Sequence, residues 1–225
     1  MRNIEDYVNE LDHIVGKWCI CQSCLVVDDD RGRSSVGSIC PVCGATSEGS
    51  QMYFYMSVHT MIDLIREAYS SEHNIQNEGT DYEYQLNTHY ISVLIYFCTL
   101  REILLYQLIH ELCKSQKIPK GVYERLRSDN KLYIQKQNKL FPSLTGLKWN
   151  DALNVLSNES NNDYEKLNEK IMELVEYRNK FIHQGHKIFE IDSKVAEDCV
   201  KNTHLLIQLF VDLHNKYVHK EYLNK

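Results

Sequence analysis

Glycine and proline are scarce in this chain of 225 residues, which has nine of one and three of the other. That scarcity disfavours turn-dense all-β architectures and points to long helices. An excess of positive charge is also missing. Lys and Arg number 25 against 31 Asp and Glu, a balance of −6. A globally basic nucleic-acid-binding protein is thereby excluded, although a local basic face is not. The most apolar stretch, 91–109, carries Arg101 and Glu102 and reads as a buried helix rather than a membrane span. The opening residues, Met1-Arg2-Asn3-Ile4-Glu5-Asp6, lack the charged-then-apolar order of a signal peptide. No GxGxxG, Walker-type loop or nucleophile elbow occurs. The expectation is a cytoplasmic protein with no membrane partner. At 43% hydrophobic and 25% charged residues, a packed core is within reach.

Cysteine, by contrast, is abundant and clustered: eight in all, five of them between Cys19 and Cys43. Cys21-Gln22-Ser23-Cys24 and Cys40-Pro41-Val42-Cys43 form two CxxC pairs fifteen residues apart. This is the spacing of a structural zinc site, in which each CxxC turn aims two thiolates at one point. Gly44 permits the tight turn that lets backbone N–H groups face sulfur. Four cysteine donors close the coordination shell, so the expected Zn²⁺ is structural. The intervening residues read as a hairpin, with Leu25-Val26-Val27 opposite Val36 to Ile39 and the acidic run Asp28-Asp29-Asp30 at a solvated tip. The segment 17–50 therefore reads as a small β-rich zinc ribbon, too small to fold without its metal. Cys19 is a spare that competes with Cys21 for a ligand role. Cys98, Cys113 and Cys199 fall singly on helical patterns and read as buried small hydrophobes.

The rest of the chain reads as helix. Residues 1–16 form a short amphipathic helix, and 51–225 a bundle of about five helices. The spacing predicts helices over 52–69, from the capping box Thr80-Asp81-Tyr82-Glu83 to about Lys117, from Lys120 to Leu140 with a stop before Pro142, from Asp163 to Gly185, and from Asp192 to His219. A short helix is expected at 150–157. The long second helix faces Leu86, Tyr90, Val93, Phe97, Leu100, Leu104, Leu108 and Leu112 inward. The fold class is mainly α with a small N-terminal zinc ribbon.

A second constellation lies near the end of the helix that starts at Asp163: Tyr177-Arg178-Asn179-Lys180-Phe181-Ile182-His183-Gln184-Gly185. Leu167, Ile171, Leu174, Val175 and Ile182 make its apolar stripe, and Arg178 lies close to that stripe. Asn179 and His183 share a face. Arg178 sits about 140° from His183 on a helical wheel, so two copies of the helix across a dimer axis would assemble a composite site better than one.

Arg178-Asn179-(x)3-His183 followed by Gly185 resembles the R-x4-6-H signature of the HEPN superfamily, and the resemblance covers about residues 51–225. It implies an all-α bundle, commonly dimeric, and a metal-independent endoribonuclease that acts as a toxin or antiviral defence effector, with an antitoxin or regulatory protein as a further partner. The chemistry suits the residue types. RNA supplies its own nucleophile, the ribose 2′-OH. His183 can move protons near neutral pH, Arg178 can hold the phosphate charge, and Asn179 can orient either. Some toxin-type members have a Tyr two residues after the His; here that position is Gly185, so regulation through such a Tyr is not implied. Arg101 and Glu102 are secondary site candidates on a partner helix.

Between Lys114 and Lys148, nine basic residues face Glu124 and Asp129, a local balance of +7. Tyr123, Tyr133, Phe141 and Trp149 are interleaved. Cations with aromatics suit a single-stranded RNA track, with Lys131, Lys136 and Lys139 as candidates. The competing reading is a solvated helix whose aromatics belong to the core. At the level of the whole protein, the alternative to a ribonuclease is a non-catalytic nucleotide- or protein-binding module with the ribbon as adaptor. The acidic tip argues against a zinc-ribbon DNA-binding regulator.

Overall fold

The computed structural model describes residues 3–14, 18–28, 36–48, 52–71, 82–184 and 191–219. Among these there are eight helices and one two-stranded sheet, so the chain is mainly α, as its composition requires. The helices are α1 (Ile4–Ile14), α2 (Met56–Ser71), α3 (Tyr82–Ser115), α4 (Lys120–Asp129), α5 (133–145), α6 (Trp149–Glu159), α7 (Tyr164–Gln184) and α8 (Ser193–Leu213). The strands are β1 (Cys19–Ile20) and β2 (Val27–Asp28), paired antiparallel with Cys19 opposite Asp28 and Ile20 opposite Val27. The capping box at Thr80-Asp81, the acidic residues Asp29 and Asp30, and Gly185 lie outside the described residues.

The chain forms two compact units that cut across chain order. One comprises Met1–Val15, Met56–Arg101 and Lys166–Leu206; the other comprises Gly16–Tyr55, Glu102–Glu165 and Ile207–Lys225. In the first unit α1 packs on α2, burying Leu11 and Ile14 from one helix and Val58, Ile62 and Ile65 from the other. The first half of α3 adds Val93, Leu94, Phe97 and Leu100, and α7 adds Leu167, Ile171 and Leu174. Lys170 of α7 reaches Asp198 of α8 at 2.7 Å.

In the second unit the remainder of α3 buries Leu104, Leu105, Leu108 and Leu112. An aromatic stack extends this core: Phe141 lies 5.1 Å from Trp149 and 5.8 Å from Tyr217, both edge-on. Fully buried Phe141 is worth about 1.5–3 kcal/mol. By length and composition alone Thr88–Ser115 could cross a membrane, with a mean hydropathy of 1.5, but 56% of that window is buried inside the protein. Arg101, only 5% exposed, sits in its middle.

Two boundaries differ from the sequence reading. The helix expected over 120–140 breaks at Asn130 (φ −125°, ψ 61°), whose side-chain amide bonds back to the carbonyl of Leu126 at 2.9 Å. An Asn side chain competes in this way for the backbone and ends helices. The stop expected before Pro142 does not occur. The turn Lys136–Leu140 widens to π geometry, and the Phe141 N–H reaches the carbonyl of Lys136. The wider turn makes room for the pyrrolidine ring where an α-helix would clash with it. Helix α5 then continues to Thr145, and Gly146 closes it in the left-handed region at φ 76°.

The start of α7 depends on a buried polar knot. The Tyr164 hydroxyl donates to Asp212 of α8 and accepts from the Asn162 side chain at 3.0 Å, while Gln208 donates to the other oxygen of Asp212 at 2.9 Å. Tyr164 is fully buried. Removing its hydroxyl leaves a carboxylate short of a donor, which costs about 1–3 kcal/mol. Tyr164→Phe is therefore expected to lower the unfolding free energy by that amount, read as a lower urea midpoint at unchanged slope of the transition. An unchanged midpoint would show that the knot is not stabilising.

Candidate functional site

The sulfur atoms of Cys21, Cys24, Cys40 and Cys43 all lie within 4.8 Å of one another. Cys21 and Cys43 are 3.8 Å apart, and so are Cys24 and Cys40. A tetrahedron with metal–sulfur distances of about 2.3 Å has edges of roughly 3.8 Å, so the cluster has the dimensions of a closed tetrathiolate centre. Cys19 stands apart in β1, opposite Asp28 and bridged to Met52. Cys21 and not Cys19 therefore completes the set.

Each CxxC pair sits in its own turn, and the two turns are built alike. Leu25 N–H bonds to the Cys21 carbonyl and Gly44 N–H to the Cys40 carbonyl, both at 2.8 Å. Cys21 N–H bonds to Val26 and Cys40 N–H to Ala45, both at 2.9 Å. Val26 is buried with Cys24 and Cys40 in a small local core. The strand pairing differs from the single hairpin expected from sequence. Among the described residues, Val27 pairs back to Ile20 around the first turn, and Ile39 bridges Thr46 around the second. The physical reason is the knuckle itself: the bonds that close each CxxC turn, Cys21 N–H to Val26 and Cys40 N–H to Ala45, lay that turn's own flanks side by side.

Gly44 adopts the left-handed conformation that its type suggests, at φ 72°. The equivalent position in the first knuckle is Leu25, at φ 62°. A non-glycine residue there costs about 1–2 kcal/mol, so surrounding contacts must enforce it. They come from the π-helical turn His214–His219 that extends α8. The Leu25 carbonyl meets His214 Nε2 at 2.9 Å. Asn215 clamps the next residue but one, accepting from Val27 N–H and donating to the Val27 carbonyl, both at 2.8 Å. Its amide thus pairs with Val27 as a neighbouring strand would. Nothing in the sequence announces this clamp, 188 residues away.

The electrostatics suit metal ligation. Burial of Cys40 opposes ionisation, but the backbone N–H groups of Cys43 and Val42, with the neighbouring thiols, outweigh it and bring the group down to about 7. Cys24 is pushed up to about 12 by burial. Crowded sulfurs resist joint ionisation, and a cation at their centre is what makes four thiolates compatible. By contrast, burial raises Cys113 to about 11 and holds Cys199 well above its ordinary value. Together with buried Cys98, these are core residues, as their single placement suggests.

The Arg178–His183 segment closes α7. Arg178 is half-buried, and its Nη1 donates to Asn179 Oδ1 at 3.1 Å. His183 is exposed one turn beyond Asn179. The apolar stripe is buried at Leu167, Ile171 and Leu174, but Ile182 is 47% exposed and Met172 42%. The helix therefore leaves the core near its end and presents polar and apolar groups together. Arg101 Nη2 contacts Met172 Sδ at 3.5 Å. Met172 lies on the face of Asn179 and His183, but about 16 Å from His183 along the axis. Arg101 thus supports the helix well before the His. Glu102 is exposed and belongs to the other compact unit.

The basic segment splits in the same physical way. Lys131 and Lys139 are exposed, while Lys136 is half-buried and donates to the Lys131 carbonyl at 2.6 Å. Burial lowers the pKa of Lys136; nearby Arg127 adds to that effect and Glu102 opposes it. Arg127 lies over the Tyr106 ring at 5.7 Å and bonds its hydroxyl at 3.1 Å. Phe141 and Trp149, at 0% and 4% exposure, belong to the core and are closed to nucleobases. Their apolar area outweighs their position among lysines.

Sequence reasoning also missed Tyr55, His110 and Glu111. The Tyr55 hydroxyl lies 2.5 Å from His110 Nδ1 and 3.5 Å from Glu111. The only local signals were the aromatic run Tyr53-Phe54-Tyr55 and Gln107 on an apolar helix face. Comparison with protein-family models, with curated proteins and with solved structures finds no match to the chain.

Two outcomes are expected. Elemental analysis should find one metal ion per chain, retained in Cys19→Ala and lost in Cys40→Ala. Retention in Cys40→Ala, or loss in Cys19→Ala, would contradict the assignment of donors. The second concerns His214, whose imidazole burial brings down to about 4. Its Nε2–H donates to Leu25 and its Nδ1 is buried without a hydrogen-bond partner. The folded value lies below the ordinary 6.5, so the unfolded chain takes up the proton first. This contribution is intact above pH 6.5 and declines toward pH 4, by about 3 kcal/mol in all. His214→Gln keeps a donor but does not titrate. Its urea midpoint should fall less than that of the parent protein between pH 7 and 4.5.

Proposed function

We propose that the chain is a metal-independent endoribonuclease of HEPN type, active as a homodimer and braced by a structural Zn²⁺ held by Cys21, Cys24, Cys40 and Cys43. The observation that carries this reading is the end of α7, where half-buried Arg178 is bonded to Asn179 and exposed His183 follows one turn later on the face of Asn179. A half-buried arginine and an exposed imidazole five residues apart at the end of one helix supply the two charges RNA cleavage needs. The exposed Ile182 next to His183 suits a second copy of the helix.

In the reaction the ribose 2′-oxygen bonds to the adjacent phosphorus and the 5′-oxygen of the next nucleotide leaves. The products are a 2′,3′-cyclic phosphate and a 5′-hydroxyl. His183 accepts the 2′ proton or returns one to the leaving oxygen. Arg178 stabilises the extra negative charge on the phosphorane, and Asn179 holds the guanidinium in register. The zinc supplies no step. All-thiolate coordination selects a soft ion such as Zn²⁺, whose role is to hold the knuckles folded. The biological settings that fit are a toxin or an antiviral defence effector in the cytoplasm, restrained by an antitoxin or regulatory protein. Lys131 and Lys139 would contact the RNA backbone.

The test uses zinc-loaded protein and end-labelled single-stranded RNA without added divalent cations. Cleavage to cyclic-phosphate ends is expected, with His183→Ala and Arg178→Ala each slowing it about 10²–10⁴-fold at unchanged circular dichroism. Equal cleavage by the double variant would refute the site. Binding without any cleavage would favour the non-catalytic reading.

A further inference from the structure

A cleft of about 540 Å³ opens beside the first knuckle, within one compact unit. That size lies in the roughly 300–1,000 Å³ range of small-ligand sites. One wall is apolar and aromatic, with Ile20, Met52 and Tyr55; the other is the end of α3, with Lys114, Ser115 and Lys117. We propose that this cleft is an RNA-binding subsite that seats one nucleotide of a single strand, its base against Tyr55 and its phosphate on Lys114 and Lys117. The inference rests on the ribonuclease reading for the identity of the polymer, and it adds a binding surface which that reading does not contain.

Two contacts hold Tyr55 in place, and a third fixes the backbone two residues before it. Its hydroxyl meets His110 at 2.5 Å, its backbone N–H donates to Gln107 Oε1 at 3.2 Å, and Gln107 also donates to the Tyr53 carbonyl at 2.8 Å. Gln107 is itself buried. An aromatic ring already fixed loses little entropy when a base stacks on it.

Lys117 supplies an independent observation. It closes α3 in the left-handed region at φ 57°, with its N–H on Lys114 and the Ile118 N–H on Cys113, both at 3.0 Å. Glycine or asparagine suits that position without strain. A lysine there accepts a backbone cost and in return projects a cation from a rigid cap. Helix-dipole compensation does not require it, because Lys114 already stands in the last turn. Both lysines are exposed, Lys114 with 70% of its side chain, at 4.0 Å from Glu111.

The polymer is chosen by the mixture of groups. Glu111, whose side chain is only 13% exposed, also lines the cleft. A carboxylate repels an acidic peptide, but it accepts hydrogen bonds from base N–H groups, and exposed Gln22 can pair with either kind of base edge. Lys114 and Lys117 are also the first two of the nine basic residues that run to Lys148, with Lys120 and Arg125 exposed immediately after them on α4. A strand leaving the cleft meets further cations.

The test is fluorescence anisotropy of a labelled 12-nucleotide single-stranded RNA on the zinc-loaded full chain carrying His183→Ala, so that no cleavage intervenes. Lys117→Gly is the discriminating substitution, because it relieves the backbone while deleting the cation. Its melting temperature should hold or rise while Kd increases about 5–10-fold, and the slope of log Kd against log salt should fall by about one. Lys114→Gln should add to the loss, and Tyr55→Leu should weaken binding about fivefold with zinc content retained. Unchanged Kd and salt slope in Lys117→Gly and in the double lysine variant would overturn the proposal. Tighter binding of a poly-glutamate peptide than of RNA would do the same. If the parent chain cleaves RNA while the cleft variants bind normally, only the subsite is wrong. If the cleft variants lose binding while Arg178 and His183 prove irrelevant to cleavage, the subsite stands and the ribonuclease reading falls.

Discussion

Helix α3 contributes buried side chains to both compact units: Val93, Leu94, Phe97 and Leu100 to one, and Leu104, Leu105, Leu108 and Leu112 to the other. Taking this apolar surface out of water is the requirement to which the remaining helices respond. It is also what makes polar residues on α3 informative. Arg101 and Gln107 are buried there at a cost that only specific partners can offset. Arg101 finds Met172 on α7, and Gln107 staples the backbone at Tyr53 and Tyr55. Both regions with chemical potential therefore trace back to one element: the support of α7 at Arg101, and the cleft at the far end of α3.

The four-cysteine cluster shows a different division of labour. Four converging sulfurs set the local geometry, and two repeated turns satisfy their own backbone groups. That local scheme is complete for Gly44. It is incomplete for Leu25, whose left-handed backbone needs the support of His214 and Asn215 from the end of α8. Folding of the first knuckle is thereby linked to burial of the C-terminal turn. The pKa depression of His214 follows from the same burial, because an imidazole enclosed with one nitrogen lacking a hydrogen-bond partner favours its neutral form.

Much of this was legible in the chain. The spacing of Leu167, Ile171 and Leu174 marked α7, and the paired CxxC motifs marked the cluster that the folded chain brings within 4.8 Å. The illegible parts share a cause. Phe141 and Trp149 sit among lysines, and nothing local says whether an aromatic faces a base or a core; the stack with Phe210 and Tyr217 decides. Pro142 looked like a stop because the widened turn before it is not written in any single residue. The pairing of Val27 with Ile20 was hidden because two-residue strands carry no alternation to read.

Spacing along the chain was enough to mark the protein as mainly helical, to let two CxxC pairs converge on one point, and to put Arg178, Asn179 and His183 at the end of one helix. Each of those follows from spacing along a regular backbone, where neighbours in space are neighbours in number. Only the tertiary structure decided that Cys21 and not Cys19 completes the cluster, that Asn215 stands in for a strand beside Val27, and that Tyr55, Lys114 and Lys117 line one cleft. Those contacts join residues tens to hundreds of positions apart. They exist because burying apolar area brings distant segments together, and no periodicity records which segments those will be.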